Sequence, residues 1–243
     1  MKSKKATKEK SNSTGNTRTR ILATSLQLFN DEGECNVSTN HIAATLGISP
    51  GNLYYHFRNK ADIIYELFIQ YEEEAMSHLS APEDRLLTFD DKIRYFESIF
   101  QILWDYRFIY RDLVHVLREN PALKLRYGQF TKRSLARVRR IYQRLVESDI
   151  LIAQGDQIDA LIVNTWVIIS SWASFLYSSL PNLEENAISQ DLIQRGVYQI
   201  VCLEAPYLTE KAKAQLPKLM EIYKPYEGYK PTDEFVSLMG IES

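Results

Sequence analysis

The sequence predicts an all-α protein, whose N-terminal domain contains a three-helix unit and is followed by a larger helical bundle. Apolar residues recur at helical spacing through most of the 243 residues. Strict alternation and Asn-Gly hairpin turns, the usual signs of β-strands, do not appear. Glycine is scarce, at 9 residues, and forms neither a GxGxxG nor a GxxxxGK[ST] loop, which argues against the common nucleotide-binding α/β folds.

Charge is distributed unevenly along the chain. The first 60 residues hold nine Lys or Arg and four acids, a formal charge of +5, whereas the remainder holds 20 basic and 27 acidic residues, a charge of −7. A basic N-terminal segment on an acidic body suits a protein that offers one end to a polyanion. Residues 1–17 are mostly Lys, Ser, Thr and Asn, and we expect a disordered basic arm there.

The cysteines give no sign of a disulfide framework or a metal site. Cys35 and Cys202 are far apart and lack CxxC spacing, so the sequence predicts no metal and no cofactor. Two free thiols suit a reducing cytoplasm, and the polar first residues are not followed by the apolar segment of a secretory signal.

Residues 160–180 are uncharged and long enough to cross a bilayer as a helix. Asn164, Ser171 and Ser178 recur every seven residues, and Ser174 lies on the same side of the helix. This small polar stripe favours a buried core or interface helix, with no membrane partner, over a membrane span.

The first helix of the N-terminal domain, residues 18–80, is predicted from an apolar stripe that includes Ile21, Leu22 and Phe29 and ends at Gly33. Two hydroxyl side chains, Ser38 and Thr39, then precede a helix of about two turns, which Gly47 ends.

Two further helices follow in this domain. Ser49 can cap a third short helix, and Pro50 suits its first position because proline presets φ and lacks an amide donor that would go unpaired. Asn59 and Asp62 have the spacing of a capping box and open a fourth helix that runs to about His78.

The body is predicted to be helical from 81 to 224, and the tail, 225–243, to be irregular because it contains Gly228 and Pro231. The predicted helices of the body lie near 88–104, 106–118, 121–147, 156–180, 188–204 and 209–223.

Two short helices separated by Gly47, Ile48 and Ser49 have the arrangement of a helix-turn-helix, in which the second helix enters the DNA major groove. The predicted inward residues are Ile42, Ala43, Leu46, Ile48, Leu53 and Phe57, and the predicted outward ones are Ser49, Gly51, Asn52, Tyr54, Tyr55 and His56.

Residues 18–67 closely resemble the N-terminal domain of the TetR/AcrR family of transcriptional regulators. The resemblance implies a homodimeric, sequence-specific regulator of a double-stranded DNA operator, typically a repressor that a small molecule releases. The residues that carry it are Arg20-Ile21-Leu22, Leu28-Phe29, Gly33, Ile42-Ala43, Leu46-Gly47-Ile48-Ser49, Leu53-Tyr54-Tyr55-His56-Phe57 and Asn59-Lys60.

The resemblance also implies which residues contact DNA. At the start of the second helix, Ser38 and Thr39 would bind a phosphate. Gly51 would let the backbone approach DNA, and the Asn52 amide would pair with an adenine edge. The remaining implied contacts are phosphate or thymine-methyl contacts from Tyr54 and Tyr55, and phosphate contacts from His56 and Lys60.

This chain departs from the family at Pro50 and Asn52, where Lys or Thr is typical, so its operator cannot be copied from a relative.

An effector pocket is predicted inside the bundle, lined by a subset of Trp104, Tyr110, Trp166 and Phe175, although each ring taken alone is more typical of a packed core than of a pocket. Arg133, Arg137, Arg140 and Arg144 share one helix face. We interpret that face as solvated, the alternatives being an anionic effector or an acidic helix of the same domain.

We expect dimerisation through the helices at 156–180 and 188–204, because a long uncharged surface would reduce the solubility of a monomer. Other classes of function have little support: HExxH, GxSxG and Cys/His constellations are absent, so we do not expect an enzyme. An uncharacterised all-α enzyme and a protein-interaction adaptor remain the alternatives.

Overall fold

The computed structural model describes residues 2–179 and 188–223. It confirms the all-α fold: within these ranges the extended pairing is limited to one bridge between Leu151 and Leu208. The α-helices are α1 (Lys2–Glu32), α2 (Thr39–Leu46), α3 (Pro50–His56), α4 (Lys60–His78), α5 (Phe89–Asp105), α6 (Arg107–Arg111), α7 (Leu113–Glu119), α8 (Pro121–Glu147), α9 (Gly155–Ser179), α10 (Gln190–Gln194), α11 (Gly196–Glu204), α12 (Glu210–Lys213) and α13 (Leu216–Ile222).

The start of the first helix differs from the expectation. Residues 1–17 are expected to be a disordered arm, whereas α1 begins at Lys2. Seven of the nine residues from 2 to 10 are Lys, Ala or Glu, which are good helix formers, and no proline interrupts the segment. A short 3-10 helix, Glu34–Asn36, follows α1.

The caps predicted for the next helices are confirmed. The Ser38 side chain accepts a hydrogen bond from the His41 amide at the start of α2, and Gly47 ends that helix in the left-handed region with a φ of 66°. The Asn59 side chain accepts from the Asp62 amide at 2.8 Å, but the Asp62 carboxylate accepts from the Arg58 amide instead of completing a capping box.

Several helices of the body are shorter than predicted. The predicted helix 106–118 is divided at Asp112 into α6 and α7, and the predicted helix 209–223 is divided into α12 and α13. Asp112 is a weak helix former, and Pro217 in the first turn of α13 cannot continue a preceding helix. The predicted helix 188–204 is likewise two helices, α10 and α11. Residue 180, residue 224 and the predicted tail at 225–243 lie outside the described residues.

One apolar core joins the N-terminal domain to the body. It runs from Ile42 and Leu53 through Phe68 of α4 to Phe100 and Val197 of the bundle. A second apolar cluster lies between the C-terminal end of α8, the N-terminal half of α9, and α12. Because α4 belongs to the shared core, the two halves of the chain are packed together as well as linked. The boundary after residue 80 stays a prediction.

The end of α1 is anchored to α6. The Asn30 side chain donates to the Asp105 carbonyl at 2.7 Å and accepts from the Phe108 amide at 3.1 Å. Phe29 packs on Phe108, with ring centroids 5.3 Å apart. This contact fixes the position of the segment between α1 and α2 relative to the body.

Candidate nucleic-acid interface

The inward side chains of α2 and α3 match the prediction. Ile42, Ala43, Leu53 and Phe57 are at most 3% exposed, and Leu46 and Ile48 pack against the same core while partly buried. The opposite sides of the two helices therefore face solvent together.

The outward face of α3 is rich in hydrogen-bonding and aromatic groups. Tyr55 is 76% exposed and Tyr54 47% exposed, and Gly51 and Asn52 are also exposed. An aromatic ring in water contributes little to the folded state, so the exposed ring of Tyr55 is available to a partner.

The two helices are also connected through their outward side chains. The hydroxyls of Thr39 in α2 and Tyr54 in α3 are hydrogen-bonded at 3.0 Å. The cap hydroxyls of Ser38 and Ser49 accept from backbone amides at 3.1 and 3.2 Å. In each cap the oxygen is used as an acceptor, so its O–H can still donate to a phosphate.

Gly51 is not required by the fold. A Cβ atom at this position would have Ser49 Oγ, at 4.0 Å, as its nearest neighbour. The glycine therefore leaves open space on the outward side of α3, where a DNA backbone would approach.

The last two predicted DNA contacts, His56 and Lys60, are held by other groups. The half-buried His56 ring packs edge-on against Tyr55, with centroids 5.2 Å apart. The Lys60 ammonium lies 2.6 Å from Glu34 Oε1 and donates to the Glu34 carbonyl at 2.9 Å. A phosphate at Lys60 would have to share this cation with a buried carboxylate.

Two of the predicted effector residues belong to an aromatic cluster in the body. Tyr110 is 2% exposed, and its hydroxyl is hydrogen-bonded to that of Tyr71 at 2.5 Å. Phe130 packs against both Tyr71 and Trp166, with centroids 5.4 and 5.9 Å apart. Burial raises the pKa of Tyr71 and Tyr110, so both phenols stay neutral.

The other two predicted effector residues lie away from that cluster. Phe175 of α9 lines an open surface cavity of about 640 Å³, and Tyr110 reaches the same cavity from the other side. Trp104 is not among the residues that line this cavity and instead carries the Arg107 guanidinium 4.2 Å from its ring. Of the four residues, Tyr110 and Phe175 line this cavity together, and the effector pocket stays a prediction.

The arginine face of α8 is exposed at Arg133, Arg137 and Arg140, as interpreted, but three of its four members also bond to neighbouring groups. Arg133 pairs with the buried carboxylate of Glu72 on α4, and Arg137 donates to the Met76 carbonyl at 2.6 Å. Arg144 donates to the carbonyls of Pro82 and Arg85 at 3.2 and 2.7 Å. Arg133 therefore has an acidic partner, but on α4 of the predicted N-terminal domain instead of on another helix of the body.

Two polar clusters in the structure were not predicted. Lys92 and Tyr142 both contact the buried carboxylate of Glu204, and the Tyr142 hydroxyl is 3.1 Å from Thr165 Oγ1. A second cluster combines Glu34, Cys35 and His115. Neither cluster forms a local sequence motif. Lys92 and Glu204 are 112 residues apart, and Glu34 lies in the N-terminal domain whereas His115 lies in the body.

Helix α9 is long and apolar enough to cross a membrane by length and composition. One side of it packs inside the protein, with Leu161, Ala173 and Leu176 at most 3% exposed. The other side leaves Val163 and Val167 each 53% exposed. This two-sided pattern is typical of a helix that packs on its own bundle and on a second protein surface.

Two family models match the chain. Residues 21–67 match the family described as bacterial regulatory proteins, tetR family, and residues 70–216 match the family described as bacterial transcriptional repressor, TetR. Together the two matches cover the helix-turn-helix and nearly all of the described body.

Similar solved structures cover the same region. A TetR-family transcriptional regulator from Marinobacter aquaeolei VT8 is 45% identical to this chain and has a TM-score of 0.78. The match covers 86% of this chain and 99% of the Marinobacter chain. A transcriptional regulator from Saccharomonospora viridis, solved with choline, shares the fold at 18% identity and a TM-score of 0.62, covering 81% of this chain and 100% of its own.

Among curated proteins, the regulator UidR of Escherichia coli K12 is 36% identical over 66 residues. That match spans 27% of this chain and 34% of UidR. The similarity to UidR is therefore limited to about a third of that protein's length.

Proposed function

The chain belongs to the TetR family of bacterial transcriptional regulators, and we propose that it is a homodimeric repressor, released from a pseudo-palindromic operator by a small molecule. DNA binding and transcriptional regulation follow from the family. The observation that carries the proposal is the outward face of α3, where Asn52 and Tyr55 are exposed beside a glycine that the fold does not require. We place the protein in the cytoplasm, where its DNA is, and assign it no catalytic activity and no membrane partner.

In the proposed complex α3 lies in the major groove. Asn52 would pair through its amide with adenine N6 and N7, and the Tyr55 ring would contact a thymine methyl or a phosphate. Ser38 and Thr39 at the start of α2 would bind a phosphate, supported by free amides and the positive end of the helix dipole. The Thr39–Tyr54 hydrogen bond would hold α2, which binds phosphate, in a fixed position relative to α3, which contacts the bases.

The test is to select bound fragments from genomic DNA and measure operator affinity by gel shift. Tyr54→Ala should abolish specific binding with the circular dichroism spectrum unchanged, and Tyr54→Phe separates the ring from the hydroxyl. Leu86→Ala, an exposed residue in the α4–α5 loop at 61% exposure, is the matched control and should bind normally. Unchanged affinity in Tyr54→Ala and Asn52→Ala contradicts the interface, and absence of any salt-dependent DNA affinity favours the adaptor alternative.

We assign the dimer contact to the exposed side of α9. Exposed Val163 and Val167 and the small side chains of Ser171 and Ser174 would let a second copy approach closely. The apolar residues of α11 are mostly buried within the protomer, so α9 carries the larger part of this surface.

Ser171→Arg or Ser174→Arg should give monomers that lose operator binding, because a desolvated charge would enter the interface. Ser77→Arg, on the exposed side of α4, is the control and should remain dimeric. Analytical ultracentrifugation decides: a dimer that persists in both α9 variants places the interface elsewhere.

We assign effector binding to the aromatic cluster around Tyr110 and Trp166. Packed rings of this kind suit an apolar or planar molecule, and they also suit a quaternary ammonium through cation–π contacts. The molecule would release DNA by binding the non-binding conformation more tightly, typically with about 1 to 3 kcal/mol of coupling.

A thermal-shift screen of aromatic metabolites and of choline, followed by operator affinity with each hit, tests this assignment. Trp166→Ala should lose both the stabilisation and the release. If that variant keeps both, the pocket lies elsewhere; if no compound changes operator affinity, the sensor function is wrong.

A further inference from the structure

Three side chains that can bind a metal ion meet where the N-terminal domain contacts the body. Glu34 and Cys35 lie in the 3-10 helix after α1, and His115 lies in α7. One ligand atom from each lies within 4.8 Å of the other two. Glu34 Oε2 is 3.6 Å from Cys35 Sγ and 3.9 Å from His115 Nε2. We propose that these residues form a site for a divalent ion of the zinc type, and that its occupancy changes operator affinity.

The spacing of the ligand atoms suits a tetrahedral ion. Zinc binds sulfur, nitrogen and oxygen at about 2.0 to 2.3 Å, which places ligand atoms roughly 3.3 to 3.6 Å apart. The distance from Glu34 to Cys35 lies at the upper end of this range, the distance to His115 exceeds it by about 0.3 Å, and the third separation is at most 4.8 Å, so side-chain rotations would bring the three ligand atoms to coordination distance. A thiolate together with an imidazole also favours zinc over magnesium or calcium, which prefer oxygen ligands.

The surroundings orient Glu34 toward the site. Its side chain is 8% exposed, and Lys60 binds Oε1 at 2.6 Å, which leaves Oε2 directed at Cys35 and His115. Gly33, with a φ of 88°, provides the turn that places Glu34 inward directly after α1. Lys60 acts here as the group that fixes the carboxylate ligand.

The site is open to solvent on one side. Cys35 and Asp112 line a surface cavity of about 460 Å³, through which an ion and a water ligand can enter. Three protein ligands with a fourth position for water are a common arrangement for zinc. The cavity therefore gives an ion access to Cys35 and leaves room for a water molecule as the remaining ligand.

Binding requires two local changes. Cys35 must lose its thiol proton to the buffer, because the thiolate is the metal ligand. The His115 ring must carry its proton on Nδ1, where Arg118 now donates at 3.2 Å. The Arg118 side chain is 70% exposed, so it can turn into water when the ion binds Nε2.

The position of the ligands connects the site to regulation. Glu34 and Cys35 precede α2, and His115 belongs to the body, so an ion bound by all three favours the arrangement in which the two halves meet as they do here. This part of the inference rests on the proposed function, whereas metal binding itself does not.

Cobalt is the probe for the site, because Co²⁺ replaces zinc and a thiolate ligand gives a charge-transfer absorption in the near ultraviolet. We expect one Co²⁺ per chain in the full-length reduced protein, with the band removed by added Zn²⁺. Cys35→Ser should lose the band and His115→Ala should weaken binding at least tenfold. The other cysteine provides the matched control: Cys202→Ser, in α11, should keep the band, as should His78→Ala.

Absence of the band in the wild type, or its persistence in Cys35→Ser, overturns the site. The regulatory part is tested by operator affinity with and without Zn²⁺, where we expect a change of about fivefold or more in the wild type and none in Cys35→Ser. Normal cobalt binding with unchanged operator affinity overturns the regulation alone. If the protein binds no DNA either with or without Zn²⁺, the proposed function fails, and the cobalt band still decides the site.

Discussion

The N-terminal domain and the body place their candidate functional side chains in opposite surroundings. Tyr55 on α3 is 76% exposed, whereas Tyr110 in the body is 2% exposed and bonded to another tyrosine. DNA can therefore dock on a surface that is already formed. An effector at Tyr110 must separate packed rings. Substitutions in the body should therefore change the free energy of unfolding more than the affinity for DNA, whereas substitutions on α3 should change the affinity for DNA more than the free energy of unfolding.

The largest effect is expected in the body, at Glu204. Its carboxylate is fully buried with Lys92, and Glu204→Ala leaves that ammonium without its charge partner. We expect a loss of about 3 to 5 kcal/mol in the free energy of unfolding, measured by urea denaturation. Combining Lys92→Met with Glu204→Leu should recover most of it. A loss below about 1 kcal/mol in the single variant would show that Lys92 finds another partner or deprotonates.

The same contrast explains what the sequence reveals. Ser38, Gly47 and Ser49 cap or end helices through neighbours only a few residues away, so the helix-turn-helix can be predicted from local pattern. The Lys92–Glu204 pair joins residues 112 apart, and no local pattern encodes it. The partner of Arg133 on α8 could not be read from local pattern either, since Glu72 lies on α4.

The second largest effect is expected on α3, where substitution of Asn52 should change operator affinity without changing stability. Asn52→Ala should lose about 1 to 3 kcal/mol of operator affinity at one base pair per half-site, as expected for a bidentate contact. Its amide is exposed, so the unfolding midpoint should stay the same. Affinities for operators substituted at each base pair locate the contact. A uniform loss across all of them would make Asn52 a phosphate contact instead.

Gly51 tests whether binding and stability can change in opposite directions. Gly51→Ala should stabilise the fold by roughly 0.5 to 1 kcal/mol, because alanine is the better helix former and its Cβ meets open space. The same methyl group would stand between α3 and DNA and should weaken operator binding. Gly128→Ala in α8, also with open space around its Cβ, is the matched control and should gain stability with unchanged affinity. Normal binding by Gly51→Ala would place DNA farther from α3.

The smallest effect is expected from the N-terminal segment, which lies outside the helix-turn-helix. Residues 2–12 hold five lysines and one glutamate, and each lysine near a phosphate releases counterions. Deleting them should flatten the plot of log affinity against log salt by roughly 0.9 for each lysine that contacts a phosphate, without changing sequence preference. A variant with the five lysines changed to glutamine keeps the length of α1 and separates charge from helix. If both variants retain the wild-type slope, the segment takes no part in binding. If only the deletion changes the slope, the helical extension of α1 contributes to binding more than its lysine charges do. A lysine-rich sequence would not by itself predict that result.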